Sequence, residues 1–356
     1  MKSFLNNFFI ISIIYFIISM VISQLTPYHY GNPWFSTKIE FLENNITLNH
    51  NTYFFGSSLV YRQIDTQLFD STFNSISNEK LSSFNLGAPS LFNPESYYLF
   101  ENFLNSPLSK NAKYCFIELT EVNLIKDSRM HLEKTSYWQN YSDLLFVGKS
   151  IYSNNQLSQK QKGKAYLNYS VSYLENLLHL GHFRAQILHS NYYNKKYVGI
   201  NNDGYFPLDY EYETTENEII KNDFHARNQR FLENPKYLNT IKLKILNSYN
   251  NISKNYDQIN LNRILDLIQK TKQKGINLIF ILSPRMGGQK LINLSKQISE
   301  INIIDMCNPQ NHDLFYFNEN SFDQGHFNSK GAESYSKIFA TEFEKKVRTH
   351  NNVYNQ

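Results

Sequence analysis

Three short segments carry side chains that together could perform nucleophilic catalysis. In the first, Ser58 follows Gly56 and Ser57 directly after an apolar, aromatic run that is typical of a β-strand. A serine at a strand-to-helix turn can project its hydroxyl above the edge of a sheet. The backbone N–H groups that begin the helix can then face a developing oxyanion. Alone, the pattern fits a plain turn with a capped helix equally well.

The second segment, Asp323-Gln324-Gly325-His326, precedes the predicted last helix. A serine nucleophile needs a base within hydrogen-bond reach, and the base needs a carboxylate that fixes its tautomer. Asp323 and His326 are three residues apart on a loop that leads into a helix, so they could supply both groups. A surface turn with a capping aspartate is the alternative for this segment by itself.

The third segment is Asn85-Leu86-Gly87, at the end of the second predicted strand. A glycine at this place leaves room for a backbone N–H to approach a ligand closely. The alternative is an ordinary turn that ends the strand. None of the three segments is specific when it is considered separately.

Strands and helices alternate in the prediction, and this alternation indicates an α/β fold with a three-layer, doubly wound parallel sheet. Sites in such sheets form at the carboxyl ends of the strands. Strands are predicted at about 52–57, 82–87, 112–120, 276–284 and 301–306. Helices are predicted at about 59–70, 94–105, 164–189, 216–232, 255–274, 287–299 and 329–347.

Three regions are predicted along the chain. Residues 1–24 form a membrane anchor or signal segment, and residues 25–50 form a linker that leads into the folded part. Residues 51–356 form a catalytic domain. Within it, the polar, Tyr- and Asn-rich stretch at about 124–250 is predicted to be a mainly helical insertion.

The N-terminal segment, residues 4–23, is almost wholly apolar and carries no charge. A helix of about 20 residues at 1.5 Å per residue spans a bilayer core. Only Lys2 precedes it, so the positive-inside rule places the N-terminus in the cytoplasm and the domain outside. We expect an uncleaved single-pass anchor, because the run is long and an A-x-A cleavage pattern is missing. A cleaved signal peptide, which would give a secreted protein, is the alternative.

Composition excludes several classes of protein. The chain has 356 residues and a net charge of +4, and no cluster of Lys and Arg indicates a nucleic-acid partner. An aromatic content of 15% excludes a disordered chain. Two cysteines exclude a disulfide scaffold and a multi-cysteine zinc site. Cys115 and Cys307 are predicted to be two buried free thiols, with one disulfide as the alternative.

The combination of the three segments is more specific than its parts, and it resembles the SGNH (GDSL-type) hydrolases. The resemblance matches Ser58 to the family's nucleophile, and Asp323 and His326 to its closing Asp-x-x-His. It matches Gly87 to the family's second block, so the N–H groups of Ser58 and Gly87 would form the oxyanion hole. It covers about residues 52–123 and 276–345, and it leaves the 124–250 region unmatched.

This resemblance implies a flavodoxin-like SGNH fold and a serine esterase or O-acyltransferase without a metal or organic cofactor. Ser57 departs from the family, which has Asp beside the nucleophile. It is similar to a Gly-Ser-Ser subgroup found in anchored, exported proteins that act on surface polymers. The third block, Gly-x-Asn-Asp, is replaced by Glu121-Val122-Asn123, in which Asn123 could supply a second oxyanion donor.

The implied substrate is an acyl ester of a cell-surface or extracellular polysaccharide. Water as acceptor would make the protein an esterase, and a sugar hydroxyl would make it an O-acyltransferase. A different class of function is the alternative: a non-catalytic surface protein on the same scaffold. Such a protein would bind a polymer or a partner through the 124–250 insertion.

Overall fold

A computed structural model describes residues 2–25, 30–122, 133–155, 157–178 and 193–354. Its helices and strands follow one another in the order given next. They are α1 (Lys2–Leu25), α2 (Pro33–Asn44), β1 (Thr52–Phe55), α3 (Ser58–Gln63), α4 (Thr66–Ile76), β2 (Ser83–Asn85), α5 (Glu95–Asn105), β3 (Tyr114–Glu118), α6 (Glu133–Trp138), α7 (Tyr141–Ser153), α8 (Gln159–Leu177), α9 (Leu208–Thr214), α10 (Glu218–Leu232), α11 (Tyr237–Asn250), α12 (Gln258–Gln273), β4 (Asn277–Leu282), α13 (Gln289–Ser295), β5 (Ile303–Asp305) and α14 (Ser329–Tyr354).

The five strands form one parallel sheet in the order β2-β1-β3-β4-β5. The predicted α/β class with a parallel sheet is therefore confirmed. Strands β1, β2 and β3 are buried at every position, as expected for a parallel sheet that helices cover on both faces. The chain passes from one side of β1 to the other between β2 and β3, so the strand order reverses beside β1. In open parallel sheets, ligands bind at this kind of reversal.

Aromatic side chains join the last helix to the centre of the sheet. The rings of Phe54 on β1 and Phe116 on β3 stack at 4.8 Å between centroids. Phe339 of α14 meets Phe116 edge to face at 5.3 Å, and Phe343 meets it at 4.9 Å. Because these rings are buried, the helix is held against the sheet. The loop just before α14 is thereby fixed above the carboxyl end of β1.

The segment 25–50 differs from the expected linker. It contains α2, which begins at an Asn32 cap whose Oδ1 accepts the Phe35 N–H at 3.1 Å. Phe35, Ile39 and Leu42 recur at helical spacing on one face, and all three belong to the main hydrophobic core. The helix α2 therefore belongs to the folded domain, because this apolar face is buried in its core.

A second difference lies in the helix predicted over residues 59–70, which is two helices, α3 and α4. Asp65 separates them, because its Oδ1 accepts the Leu68 N–H at 3.0 Å and so caps the second helix. The first of the two is only six residues long, from Ser58 to Gln63. Because of this break, the helix that begins at the candidate nucleophile is short, and the chain turns back toward the sheet soon after Ser58.

The 124–250 stretch is helical wherever the structure describes regular elements in it, namely α6 to α11. The sequence analysis had placed no helix at α6, α7, α9 or α11. The predicted helix over 164–189 is seen as α8, and its part beyond residue 178 lies outside the described residues.

The N-terminal helix α1 contains a 19-residue apolar window, Ser3–Val21, with a mean hydropathy of 2.1. It is long and apolar enough to cross a membrane, and a signal sequence has the same properties. Cys115 and Cys307 are both buried and free, so the disulfide alternative is wrong.

Asp143 on α7 gives a prediction about stability. Its side chain is fully buried, and the guanidinium of Arg263 lies 3.7 Å away. Burial raises the pKa of this carboxyl to about 8, although the charge of Arg263 opposes the rise. The ordinary pKa is about 4, so the folded chain binds more protons than the unfolded chain between about pH 4 and 8. Stability due to this group is therefore present at low pH and is lost as the pH rises through that window.

We expect Asp143→Asn to unfold at a higher temperature than the native chain at pH 8, with a smaller difference at pH 5. Thermal unfolding of both chains at the two pH values measures this effect. An equal difference at both values would contradict it.

Candidate active site

The candidate nucleophile stands at the first turn of α3, directly above the carboxyl end of β1. Ser57 caps this helix, because its Oγ accepts the Leu59 N–H at 3.2 Å. Gly56 fits tightly beneath the turn: a Cβ there would lie 2.4 Å from Val60 Cγ2 and 2.7 Å from Glu118 Cβ. The Gly-Ser-Ser sequence therefore suits a sharp strand-to-helix turn that leaves Ser58 partly accessible.

A buried carboxylate supports this turn from β3. Glu118, at the end of the strand, accepts the Ser57 N–H on Oε2 at 2.7 Å. Burial raises the pKa of the Glu118 carboxyl, and its hydrogen bonds with Ser57 oppose the rise. Glu118 thus fixes the backbone immediately before the nucleophile.

The loop before α14 brings His326 to Ser58. Nε2 of the imidazole lies 2.8 Å from Ser58 Oγ, although 268 positions separate the two residues. The turn is closed by a bond from the Phe322 N–H to the His326 carbonyl at 2.9 Å. Gln63 Nε2 also donates to the Gly325 carbonyl at 3.3 Å, which joins α3 to the loop. These two hydrogen bonds hold the loop of the base in its turn and against the helix of the nucleophile.

Asp323 completes the arrangement. Its Oδ1 lies 2.9 Å from His326 Nδ1 and accepts the N–H groups of Gly325 and His326, each at 2.8 Å. Burial alone would raise the pKa of this carboxyl, but the hydrogen bond and charge of His326 and the charge of Arg227 outweigh burial and hold it below its ordinary value. The group is an anion at neutral pH. We assign the imidazole proton to Nδ1, because a carboxylate only accepts hydrogen bonds. Nε2 is then free to accept the Ser58 proton.

Arg227 of α10 is a part of this site that the sequence analysis missed. Its Nη2 donates to Asp323 Oδ2 and lies 3.0 Å from His326 Nδ1. Nearby, Asn228 Nδ2 donates to the Phe322 carbonyl at 2.7 Å. The predicted insertion therefore contacts the base and its carboxylate directly. No motif marks Arg227, so only the tertiary structure could identify it.

Two further contacts tie the same region to the site. Ser329, the first residue of α14, donates its N–H to Asp209 Oδ2 at 2.8 Å. On the other side, Arg62 of α3 pairs with Glu211, and its Nη1 donates to the Phe206 carbonyl at 3.1 Å. Residues 206–211 therefore hold both the helix of the nucleophile and the helix that follows the base.

The Gly87 N–H, one of the predicted oxyanion donors, has a hydrogen-bond partner in the structure. The N–H groups of Leu86 and Ala88 pair with β1, on the carbonyls of Phe54 and Gly56. Alternation along an extended chain then directs the Gly87 N–H away from β1. It donates to Asn85 Oδ1 at 2.9 Å, so it is engaged within its own segment.

The Ser58 N–H has no hydrogen-bond partner among the residues that the structure describes. It is therefore available as an oxyanion donor at the first turn of α3. Asn123, the other predicted donor, lies outside the described residues.

An open pocket of about 230 Å³ lies beside the base. It is lined by the loop of Asp323 and His326 and by one face of α10, which adds the cations Arg227 and Arg230. Arg230 reaches this pocket with a side chain whose Nε donates to the Ala226 carbonyl of its own helix at 3.1 Å. This pocket adjoins the base and its carboxylate, and Ser58 is not among its lining residues.

The fold and this site define an α/β protein with an aligned serine, histidine and aspartate at the carboxyl edge of a parallel sheet. Searches with this chain find no matching protein-family model and no significant match among curated proteins.

Proposed function

We propose that the protein is a serine-dependent ester hydrolase or O-acyltransferase of the SGNH type. One observation carries the proposal: the unbroken contact from Ser58 Oγ to His326 Nε2 at 2.8 Å and from His326 Nδ1 to Asp323 at 2.9 Å. Nucleophile, base and orienting carboxylate are the three roles that acyl transfer through serine requires. The side chains come from two distant parts of the chain, so local turn geometry does not account for their meeting.

The sheet supports the finer assignment of the fold. The order β2-β1-β3-β4-β5 is that of flavodoxin-like sheets, whose binding crevice lies where the strand order reverses. Ser58 follows β1 at that reversal. The loop before the last helix presents the base, and the SGNH hydrolases that the sequence resembles have their Asp-x-x-His at the same place.

The proposed reaction has two halves. Ser58 Oγ attacks the acyl carbonyl carbon, and its proton passes to His326 Nε2. The C–O bond to the leaving alcohol then breaks, and His326 returns this proton to the alcohol oxygen, which leaves an acyl group on Ser58. In the second half, water or a sugar hydroxyl gives its proton to Nε2 and attacks the acyl carbon. The bond between the acyl carbon and Ser58 Oγ then breaks, Nε2 returns the proton to Ser58 Oγ, and the carboxylic acid or the new ester is released.

Charge stabilisation in this scheme comes from two places. Asp323 stabilises the imidazolium that forms on His326, and it keeps the ring in the required tautomer. The Ser58 N–H would donate to the oxyanion, since no described residue uses it. Loss of one oxyanion donor costs about 10²–10³ in turnover in known enzymes. We infer that full activity requires Gly87 to turn its N–H from Asn85, or another donor such as Asn123.

For the location, we propose an uncleaved single-pass anchor with the catalytic domain on the extracytoplasmic side. The Ser19 hydroxyl of α1 donates to the Leu178 carbonyl at 2.9 Å, and Ser19 is buried. This contact favours a helix that stays with the domain over a signal peptide that is removed. A domain held outside at the membrane suits an acyl ester of a surface or extracellular glycan as substrate.

Replacement of Ser58 by Ala tests the enzyme. We expect the full-length protein in detergent to react with a fluorophosphonate probe and to hydrolyse a short-chain aryl ester. Ser58→Ala should abolish labelling and lower turnover by about 10³-fold or more, because the acyl intermediate of this mechanism forms on Ser58. Ser334→Ala, at a partly exposed position of α14, is the matched control and should behave as the native protein. Native turnover in the Ser58→Ala protein would refute the mechanism.

The alternative, a non-catalytic binding protein on the same scaffold, keeps one observation in its favour. The predicted second-block donor, the Gly87 N–H, is bonded to Asn85 and faces away from β1. A folded native protein that neither reacts with the phosphonate nor cleaves the ester would support this alternative. The insertion would then be the surface to test for polymer binding.

A further inference from the structure

The helix α8 in the insertion exposes a broad apolar face. Its large side chains on this face are between 36% and 63% exposed. They are Tyr166, Leu167, Val171, Leu174, Leu177 and, just after the helix, Leu178. At about 100° per residue these positions fall within an arc of about 140°. Large contiguous apolar surface of this kind marks an interaction site.

The opposite face of α8 is already used for packing. Tyr169 and Ser172 are buried there, and the Tyr169 ring lies 6.3 Å from that of Trp138 in α6. The exposed arc is therefore a second apolar face, additional to the one that the domain needs for its own folding. A soluble surface helix has a polar face in this place.

The position of the anchor indicates what covers this face. Ser19 of α1 donates to the Leu178 carbonyl at the end of α8, and Tyr15, one turn earlier, is half-buried. Both residues lie inside the apolar window Ser3–Val21. At 1.5 Å per residue, Ser19 is about 3 Å and Tyr15 about 9 Å inside the end of that window. The C-terminal end of α8 thus lies beside the apolar span and not beyond it.

We propose that α8 lies in the interface of the bilayer that α1 crosses, with this apolar face in contact with the lipid acyl chains. The partner is a lipid bilayer. Lys160 and Lys164 are exposed near the start of the helix, where they can reach the headgroup phosphates; Lys164 lies just outside the arc, and Lys160 marks its N-terminal end. An interfacial helix has this combination of an apolar face and basic flanks.

The contact would fix the orientation of the domain. α8 packs against α6 and α7, and the same insertion carries Arg227 on α10 to the candidate site. A domain held by α1 and by α8 has two attachments to the membrane, so it cannot swing freely about the anchor. The inference rests on α1 spanning a membrane and is independent of the proposed catalysis.

Depth-dependent quenching in the full-length protein tests this contact. The two native cysteines are fully buried, so a single introduced cysteine can be labelled with the environment-sensitive dye NBD. Leu174→Cys reports on α8, Ile11→Cys reports on the exposed side of α1, and Ser334→Cys on α14 is the aqueous control. Each is reconstituted in vesicles of phosphatidylcholine and phosphatidylglycerol that contain lipids with a doxyl quencher on the acyl chain.

We expect NBD at position 174 to be quenched roughly threefold or more strongly than NBD at 334, with emission shifted to the blue, since an interfacial helix sits among the acyl chains. Quenching at 174 no stronger than at 334, while position 11 is quenched, would overturn the proposal. A disulfide between two copies at 174 without lipid quenching would also overturn it. Absence of quenching at position 11 would show that α1 does not span the bilayer, and it would refute the proposal as well. None of these readings depends on catalytic activity.

Discussion

Replacing His326 by Gln should lower ester turnover by about 10³–10⁴-fold, because removal of a triad member has effects of this size. Glutamine can still hydrogen-bond to Ser58, but it cannot take the proton that the attack releases. The fluorophosphonate reaction should slow in parallel, since it needs the same activated oxygen. Rates of labelling and of ester hydrolysis, measured on folded protein, check this expectation.

The matched control is His225→Gln. His225 lies on α10, exposed, with Nδ1 3.2 Å from the Tyr212 hydroxyl. It is on the same helix as Arg227 but takes no part in the contacts around Ser58. We expect native rates for this variant. If His326→Gln kept more than about a tenth of native turnover, the general-base role would be contradicted, because such catalysis contributes at least about 10²-fold.

The candidate triad could be predicted because short segments of the sequence already indicate each of its three residues. Asp323 and His326 are three residues apart, and a single turn brings the carboxylate to Nδ1 at 2.9 Å. Ser58 could be placed because an apolar strand ends directly before it, and parallel strands end at a common edge. What the sequence could not establish is the 2.8 Å contact between Ser58 and His326. That contact depends on how α14 packs against the sheet.

Arg227 shows the limit of the same reasoning. It lies in a polar helix without a motif, and its hydrogen bond to Asp323 depends on the fold of the whole insertion. The helices α6 and α7 were missed for a related reason. Their apolar positions, among them Trp138 and Val147, are buried by neighbouring helices. The surrounding sequence is too polar and too rich in Asn and Tyr to display a clear period.

Gly87 shows that locating a segment does not determine the direction of its N–H groups. The strand was found near its predicted place, as β2 at Ser83–Asn85. The direction of each N–H, however, depends on the register against β1, and a shift of one residue reverses it. The bonds of Leu86 and Ala88 to β1 settle that register and turn the Gly87 N–H toward Asn85.

Replacing Gly204 by Ala should destabilise the domain by about 3 kcal/mol or more, and activity should fall with it. Gly204 has φ of +85°, and a Cβ there would lie 2.0 Å from the Asn85 carbonyl oxygen. Beside it, the Asp203 carbonyl accepts the Asn85 N–H at 2.8 Å. The buried Lys38 Nζ donates to the Gly204 carbonyl, also at 2.8 Å. Once a methyl group is added at position 204, the insertion cannot retain its contact with Asn85 of β2.

The loss of these contacts in Gly204→Ala should also affect the candidate site, because Asn85 contacts the helix of the nucleophile. Its Nδ2 donates to the carbonyls of Val60 and Ile64 at 2.8 and 3.0 Å, and so ends the helix that begins with Ser58. Displacing Asn85 would loosen that helix. We therefore expect slower phosphonate labelling of Ser58 in the Gly204→Ala protein even below its unfolding temperature.

The control variant Gly275→Ala separates the effect of steric collision on stability from the effect of backbone strain. Gly275 has φ of +74°, similar to that of Gly204, but an added Cβ would meet nothing within 4 Å. It ends α12 far along the chain from the triad segments, so only the left-handed conformation is penalised, by about 1 kcal/mol. Thermal unfolding of the two variants measures the difference. Equal shifts would mean that the contact between Asn85 and Gly204 adds nothing beyond strain, and the insertion would then not brace the helix of the nucleophile.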